Sequence, residues 1–181
     1  MKPRLIALLI ALLPLLVLLG PGKLMEQLSG RAHYERTADP VSLPLNLRLQ
    51  GYELADVSAY WQWLGAAGQA AERRFLLMDL GFPVLYGAVL IACLLLAWRL
   101  LGQAPRGLWL LAPGLTVLAD WLENSIHLQQ LAHHAAGLAL NASLIAIASA
   151  ATRIKLVLYA WSCVLIWRLV WRGSHRRAAQ A

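Results

Sequence analysis

The sequence predicts an all-α fold, an integral membrane four-helix bundle, from its composition, its apolar segments and the placement of its basic residues. Of the 181 residues, 60% are hydrophobic and 14% are charged, whereas about a quarter of the residues in a soluble domain are charged. Four apolar segments approach the roughly 20 residues that cross a bilayer. Backbone polar groups in lipid are satisfied only within helices or closed barrels. We therefore expect one membrane domain, residues 1–181.

The first apolar segment is predicted to be an uncleaved membrane anchor. It follows Lys2 and Arg4 and has roughly the length of a signal-peptide core. The residues after it begin with Gly20 and Pro21 and lack a small-x-small cleavage site that ends in alanine. The four spans are predicted at about residues 5–19, 75–101, 108–128 and 149–170.

The basic residues indicate how the chain is oriented. They precede the first span, flank the short second connection and follow the last span, whereas the third connection, 129–148, contains neither Lys nor Arg. By the positive-inside rule, both termini and the second connection are cytoplasmic, and residues 21–74 and 129–148 face outward. The net charge of +7 is thus mainly a topology signal. Membrane lipids are the expected partners and nucleic acid is not.

The long outward loop, 21–74, is predicted to contain an amphipathic helix at about 53–65. Leu54, Val57, Trp61 and Leu64 recur at the spacing of one helix face, together with other aromatic residues. Such a helix can lie in the outer membrane interface. It is either a lid over the outer end of the bundle or a simple tether.

The two cysteines argue against a thiol-disulfide enzyme. Cys93 and Cys163 stand in separate predicted spans, and neither has a neighbouring cysteine. A membrane enzyme of that kind needs close cysteine pairs at the membrane face. We expect two buried, unreactive thiols.

A polar stripe interrupts the third predicted span. Asp120, Glu123, Asn124 and His127 are spaced at i, i+3, i+4 and i+7, which places them on one face of a helix. Ionisable groups inside a membrane are energetically expensive and by default indicate a function. The stripe is therefore the primary candidate for a functional site.

Charged residues of the neighbouring spans are predicted at a similar depth. At about 1.5 Å per residue, Asp79, Glu123 and Lys155 lie about 6, 8 and 9 Å below the outer ends of their spans, and Asp120 about 12 Å. Three helices can thus present polar groups to one cavity in the outer half of the bilayer. The predicted site comprises Asp79, Asp120, Glu123 and Lys155 as catalytic groups, with Tyr86, Asn124 and Tyr159 as ligand-binding groups.

Two chemistries fit such a pocket. Three carboxyl groups beside one lysine leave excess negative charge, which favours binding of a proton or a cation. Paired carboxyls in unequal surroundings can act as general acid and base on a lipid or isoprenoid from the bilayer. Alternatively, Glu123 and His127, at i and i+4, can bind a divalent metal, with His133 or His134 assisting. The metal pattern is weak because the sequence has no HExxH motif, so no cofactor is predicted.

The polar segments resemble those of an uncharacterised family of small bacterial four-helix membrane proteins. The resemblance covers about residues 51–159 and implies a bacterial inner (plasma) membrane location. The resemblance implies no activity. It rests on Asp79-Leu80-Gly81-Phe82-Pro83 with Tyr86-Gly87, on Asp120-x-x-Glu123-Asn124 and on Lys155.

Three classes of function remain open at this level. The first is a protein that binds a lipid or amphiphile in the polar pocket and acts on it by acid/base chemistry. The second is a structural or assembly protein in which a buried ion-pair network joins the helices. The third is a component of proton- or cation-coupled transport, which in so small a chain would need oligomers. A homo-oligomer and a membrane-protein partner both stay open.

Overall fold

The all-α prediction is confirmed. The computed structural model describes residues 3–34, 40–104 and 106–178, and no β-strand occurs among them. The described residues contain five α-helices. Only Leu80 and Gly81 separate the second helix from the third, so these two helices form one helical stretch and there are four stretches in all. The helices are α1 (Pro3–Ser29), α2 (Leu54–Asp79), α3 (Phe82–Leu101), α4 (Leu111–Ala135) and α5 (Ala142–Ala178).

Helix α1 is longer than the sequence pattern predicts. Hydropathy falls at Gly20 and Pro21, yet the helix continues to Ser29 and contains both Pro14 and Pro21. It ends where Gly30 adopts φ 80°, a left-handed conformation that favours glycine. The segment that joins α1 to the next helix therefore starts about ten residues later than predicted. Lys2, one of the basic residues used for the orientation, lies outside the described residues.

The residues predicted to form an amphipathic helix, 53–65, lie at the start and in the first half of α2. Glu53 and Asp56 form a capping box at its start, in which the Glu53 backbone N–H donates to Asp56 Oδ2 at 2.8 Å. Gly65 then adopts φ 60° and ψ −179°, which kinks the helix. The apolar stripe of the first half, including Trp61 and Leu64, is buried inside the protein. This half-helix therefore belongs to the packed core.

The span predicted at 75–101 is broken near its outer end. Helix α2 stops at Asp79 and α3 begins at Phe82. Pro83, in the first turn of α3, has no backbone N–H and so cannot donate to the carbonyl of Asp79 four residues earlier. Proline tolerates the first helical turn but interrupts a continuous helix. The break places Asp79 at the end of α2 rather than within a continuous helix.

Three helical stretches are long and apolar enough to cross a membrane: Leu5–Ser29, Leu54–Leu101 and Ala142–Gly173. This supports a membrane protein. Helix α4, which covers the predicted span 108–128, does not meet that criterion among the described residues because its polar stripe lowers its mean hydropathy. The connection between α4 and α5 is only residues 136–141, far shorter than the predicted 129–148.

Two hydrophobic clusters form the core. One joins α1, α3 and α5 around Leu90, Leu94 and Ile166. The other joins the segment before α2, the first half of α2, α4 and the start of α5 around Val57 and Ile145. The predicted charged residues and Asn124 belong to neither cluster, whereas Tyr86 and Tyr159 are members of the first.

Candidate functional site

Lys155 is the centre of the buried polar site. Its Nζ lies 2.6 Å from Asp120 Oδ1 and 2.6 Å from Glu123 Oε2, so one ammonium group pairs with two carboxyl groups of α4. The exposed fractions are 8% for Lys155, 3% for Asp120 and 0% for Glu123. Lys155 thus points inward, as its helical phase predicts, while Arg153 on the same helix is exposed.

Asn124 connects the third carboxyl, Asp79, to this pair. Its Nδ2 donates to Asp79 Oδ2 at 3.1 Å and to Asp120 Oδ1 at 3.3 Å. It also donates to the backbone carbonyl of Asp79 at 3.3 Å, the acceptor left free by Pro83. The indole N–H of Trp121 donates to the carbonyl of Leu80 at 2.8 Å. Side chains of α4 therefore satisfy the broken backbone and hold Asp79 in place.

The two predicted tyrosines have different roles. Tyr86 donates to Asp120 Oδ2 at 2.8 Å, which places it in the site as predicted. Tyr159 lies on the same helix as Lys155, but its hydroxyl donates to the carbonyl of Pro14 in α1 at 2.7 Å. Its ring contacts that of Tyr86, with centroids 5.5 Å apart. The structure does not bring the Tyr159 hydroxyl to the carboxyl groups. This hydroxyl joins α5 to α1 instead.

A second polar layer lies one helical turn from the charged cluster, toward the C-terminal end of α4. His127 follows Glu123 by four residues on α4, and Thr152 precedes Lys155 by three on α5. The Tyr52 hydroxyl lies between them, 2.8 Å from His127 Nε2 and 3.0 Å from Thr152 Oγ1. Burial raises the pKa of the Tyr52 phenol, so it stays protonated at neutral pH. This hydroxyl therefore covers the charged layer on the side of His127 and Thr152.

Sequence reasoning did not identify Tyr52. It comes from the irregular segment before α2, and 75 residues separate it from His127. The segment is attached to α5 because the Tyr52 backbone N–H donates to Ser149 Oγ at 2.9 Å. The signal in the sequence is Gly51, which has φ 89° and brings the backbone close to Ser149.

The cluster contains more carboxyl groups than cations. Asp79, Asp120 and Glu123 supply three carboxyl groups, and among the described residues Lys155 is the cation in contact with them. Asn124 Oδ1 is also buried and accepts no hydrogen bond from any described residue. Its amide orientation is fixed because all three partners of Nδ2 are acceptors. The cluster thus has more carboxyl groups and more acceptors than its own cation and donors match.

The geometry does not favour the predicted metal pair. Glu123 contacts Lys155 at 2.6 Å, and His127 Nε2 contacts the Tyr52 hydroxyl at 2.8 Å. The described part of the chain contains no group of three or more His, Cys, Asp and Glu side chains arranged to hold a metal. His134 lies beside Trp61, with ring centroids 5.6 Å apart.

A second buried ion pair lies apart from the cluster and was not identified from the sequence. Arg31 Nε lies 3.4 Å from Glu72 Oε2, and the exposed fractions of the two residues are 1% and 3%. Tyr60 donates to the same Glu72 oxygen at 3.2 Å. The Arg31 guanidinium also packs over the Phe75 ring, 3.9 Å from its centroid. This pair joins the segment after α1 to α2.

Comparisons of the chain with protein-family models, with curated proteins and with solved structures found no match. The resemblance to a family of small bacterial membrane proteins stays a prediction. Nothing about the chemistry of the site is inherited from a relative.

Proposed function

We propose that this chain is a membrane protein whose buried cluster of acids and lysine binds the polar head of a lipid or another amphiphile. The charge balance of the cluster carries the proposal, because three carboxyl groups meet the single ammonium group of Lys155. In lipid, small residues and neutral polar groups suffice to associate helices. An excess of carboxyl groups therefore indicates function rather than helix packing alone.

The same imbalance suggests what kind of head group binds. Excess negative charge is complemented by a cation or by a group that donates hydrogen bonds. The buried Asn124 Oδ1, which lacks a donor among the described residues, supplies one further acceptor for such a group. An amine or hydroxyl head satisfies both requirements, whereas a phosphate alone would add negative charge. The proposed ligand thus carries an amine or hydroxyl head on an apolar tail.

Acid/base chemistry on that head is supported by the different surroundings of the carboxyl groups. Asp120 accepts hydrogen bonds from Lys155, Tyr86 and Asn124. The only donor to Asp79 among the described side chains is the Asn124 amide. Carboxyls in unequal surroundings can divide the roles of proton donor and proton acceptor. We assign proton exchange to Asp79, the carboxyl group with fewer donors.

A ligand reaches the cluster only if the packing around it opens. The charged side chains are at most 8% exposed, and Lys155 is the most exposed of them. The break at Leu80 and Gly81 interrupts the helical hydrogen bonds next to Asp79. Local opening occurs most readily where few backbone bonds must be broken. We therefore propose that the ligand enters at the junction of α2 and α3.

Glu123→Gln tests the proposal because it removes one charge and keeps the shape of the side chain. Lys155 retains its contact with Asp120 in this variant, so we expect the folded yield to stay near that of the wild type. Mass spectrometry of protein purified in native lipid particles should show an amphiphile retained by the wild type and lost from the variant.

Glu72→Gln is the matched control, since it neutralises another buried glutamate in an ion pair outside the cluster. We expect it to lower stability without changing the retained amphiphile. Loss of folding in Glu123→Gln, with no separable loss of binding, would overturn the proposal.

A structural role for the network is the alternative, and the two 2.6 Å contacts of Lys155 are the observation that favours it. In this case the cluster fixes the register of α4 against α5 and binds nothing. Replacing a complete buried ion pair by apolar residues of similar volume is often neutral or stabilising. The triple variant Asp120→Leu, Glu123→Leu, Lys155→Met should then fold in lipid at least as well as the wild type and retain the same lipids.

No observation favours transport, because residues 80–119 and 124–181 contain no Asp or Glu to continue an acidic path.

A further inference from the structure

An apolar groove runs between α1 and α5, away from the acid cluster. Its cavity volume is about 720 Å³. The small side chains of Ala7 and Ala11 on α1 leave room for it, and Cys163 and Val170 on α5 also line it. Its outer edges are apolar and exposed: Leu8, Leu12 and Leu15 on α1, with Val164, Trp167 and Trp171 on α5.

One end of the groove is basic. The lining ends at His175, whose ring lies 4.6 Å from that of Trp171. Arg168 and Arg172 do not line the groove, but both are exposed on the same part of α5, next in sequence to the lining residues Trp167 and Trp171, and the sequence adds Arg176 and Arg177. The chain has no Asp or Glu before Glu26 or after Glu123, so no acid along α5 or the first part of α1 offsets these charges. Tryptophan beside basic residues is typical of the level of lipid head groups.

We infer that this groove is a binding site for an anionic phospholipid. One acyl chain lies along the apolar groove, and the phosphate group meets Arg168 and Arg172 at its basic end. Charge complementarity selects the occupant, because a zwitterionic lipid gains less from a cluster of cations that no acid offsets. Arginine also matches the geometry of a phosphate with two parallel hydrogen bonds.

The site is independent of the proposed function of the acid cluster. Trp167 and His175 lie 12 and 20 residues beyond Lys155 on α5, or about 18 and 30 Å at the rise of a helix. The two sites also select opposite charges, since one has excess carboxyl groups and the other has only basic groups. Either of the two proposals can therefore be wrong while the other holds.

The test compares phosphatidylglycerol with phosphatidylcholine of identical acyl chains, each added to the full-length protein in detergent. Native mass spectrometry then measures how much of each lipid stays bound. We expect the wild type to prefer phosphatidylglycerol. Replacing Arg168 or Arg172 by Gln should lower that preference about fivefold for each residue, which corresponds to about 1 kcal/mol per cation. Both arginines are exposed, so the fold should be unaffected.

Two further variants separate the head-group and acyl-chain contributions. Arg153→Gln removes an exposed arginine from the other end of α5 and should leave the preference unchanged. Ala11→Phe fills the groove and should lower retention of both lipids together. Equal retention of the two lipids by the wild type, or an unchanged preference after loss of Arg168 and Arg172, would overturn the inference. A dimer that Ala11→Phe dissociates would show that a second copy of the chain covers the groove instead.

Discussion

At the scale of single residues, Lys155 holds the charged cluster together. Replacing it by Met keeps the aliphatic stem but leaves Asp120 and Glu123 without their common partner. Removing one member of a buried ion pair costs about 3–5 kcal/mol, because the remaining charge stays unpaired. We expect Lys155→Met to lower the free energy of unfolding by about that amount, measured by denaturation in detergent micelles. Arg153→Met, on the exposed side of α5, is the control and should change it little.

An equal effect of the two substitutions would contradict this account of Lys155. A partial rescue is also expected when Asp120→Asn is combined with Lys155→Met. The double variant removes a charge of each sign, so it should be more stable than Lys155→Met alone. Such coupling between contacting residues is what a double-mutant cycle measures.

Tyr52 is the residue that covers the cluster on the side of His127 and Thr152. Tyr52→Phe keeps the ring but removes the hydroxyl that lies within hydrogen-bonding distance of both His127 and Thr152. Leaving buried polar groups without a partner costs about 1–3 kcal/mol. We expect a loss of stability of this size, with faster hydrogen exchange in the segment around Gly51. Tyr34→Phe, whose hydroxyl has no hydrogen-bond partner among the described residues, should have little effect. An unchanged exchange rate around Gly51 in Tyr52→Phe would show that the hydroxyl does not hold this segment down.

At the scale of secondary-structure elements, Gly65 allows α2 to serve two parts of the molecule. Its φ of 60° and ψ of −179° form a combination that side chains other than hydrogen hardly tolerate. The kink lets residues 54–64 pack on α4 while the rest of α2 carries Asp79 to the cluster. We expect Gly65→Ala to cost about 1–3 kcal/mol and to increase hydrogen exchange in residues 54–64.

Gly20→Ala is the control for this effect. Gly20 lies inside α1 with no positive φ, and an added methyl group would meet no atom within 4 Å. Alanine at such a position should be neutral or slightly stabilising, since it lowers the entropy of the unfolded chain. A destabilising Gly20→Ala, or a neutral Gly65→Ala, would contradict the assignment of the kink to backbone conformation.

The elements also show which parts of the structure could be predicted from sequence. The stripe from Asp120 to His127 could be predicted, because helical spacing within a single element fixes which residues share a face. Lys155 and Tyr86 followed from the same rule applied to other helices. The hydrogen-bond partner of the Tyr159 hydroxyl could not be predicted in this way. Helical phase gives the side of the helix on which a residue lies, but not the neighbour that its side chain reaches.

Other features depend on contacts that no local pattern contains. Tyr52 reaches His127 from an irregular segment, and Arg31 pairs with Glu72 across a connection between helices. The break before α3 was signalled by Pro83, but its position became clear only from the α4 side chains that satisfy the freed carbonyls. Hydropathy alone also ended α1 too early, because a helix can continue past Pro21 when its neighbours support it.

At the scale of the whole molecule, α4 is polar on the inside and apolar on the outside. Asp120, Glu123 and Asn124 are buried, whereas Leu118 and Leu122 are 57% and 48% exposed. This is the reverse of a helix on a water-soluble protein, where the apolar stripe faces the core. Exposed leucines on this scale are stable only against lipid or another apolar surface. We therefore expect α4 to cross the membrane as a fourth span, although its mean hydropathy is lower than that of the other helical stretches.

Cysteine labelling tests this topology. In a background with Cys93 and Cys163 replaced by alanine, single cysteines are introduced at Gln103, before α4, and at Leu138, after it; both positions are exposed. If α4 crosses the bilayer, a membrane-impermeant maleimide added to intact cells should label only one of the two until the membrane is disrupted. The positive-inside rule predicts that Leu138→Cys is the one labelled, because Arg106 lies in the connection before α4 and no basic residue lies between α4 and α5. Labelling of both positions from the same side would show that α4 does not cross the membrane.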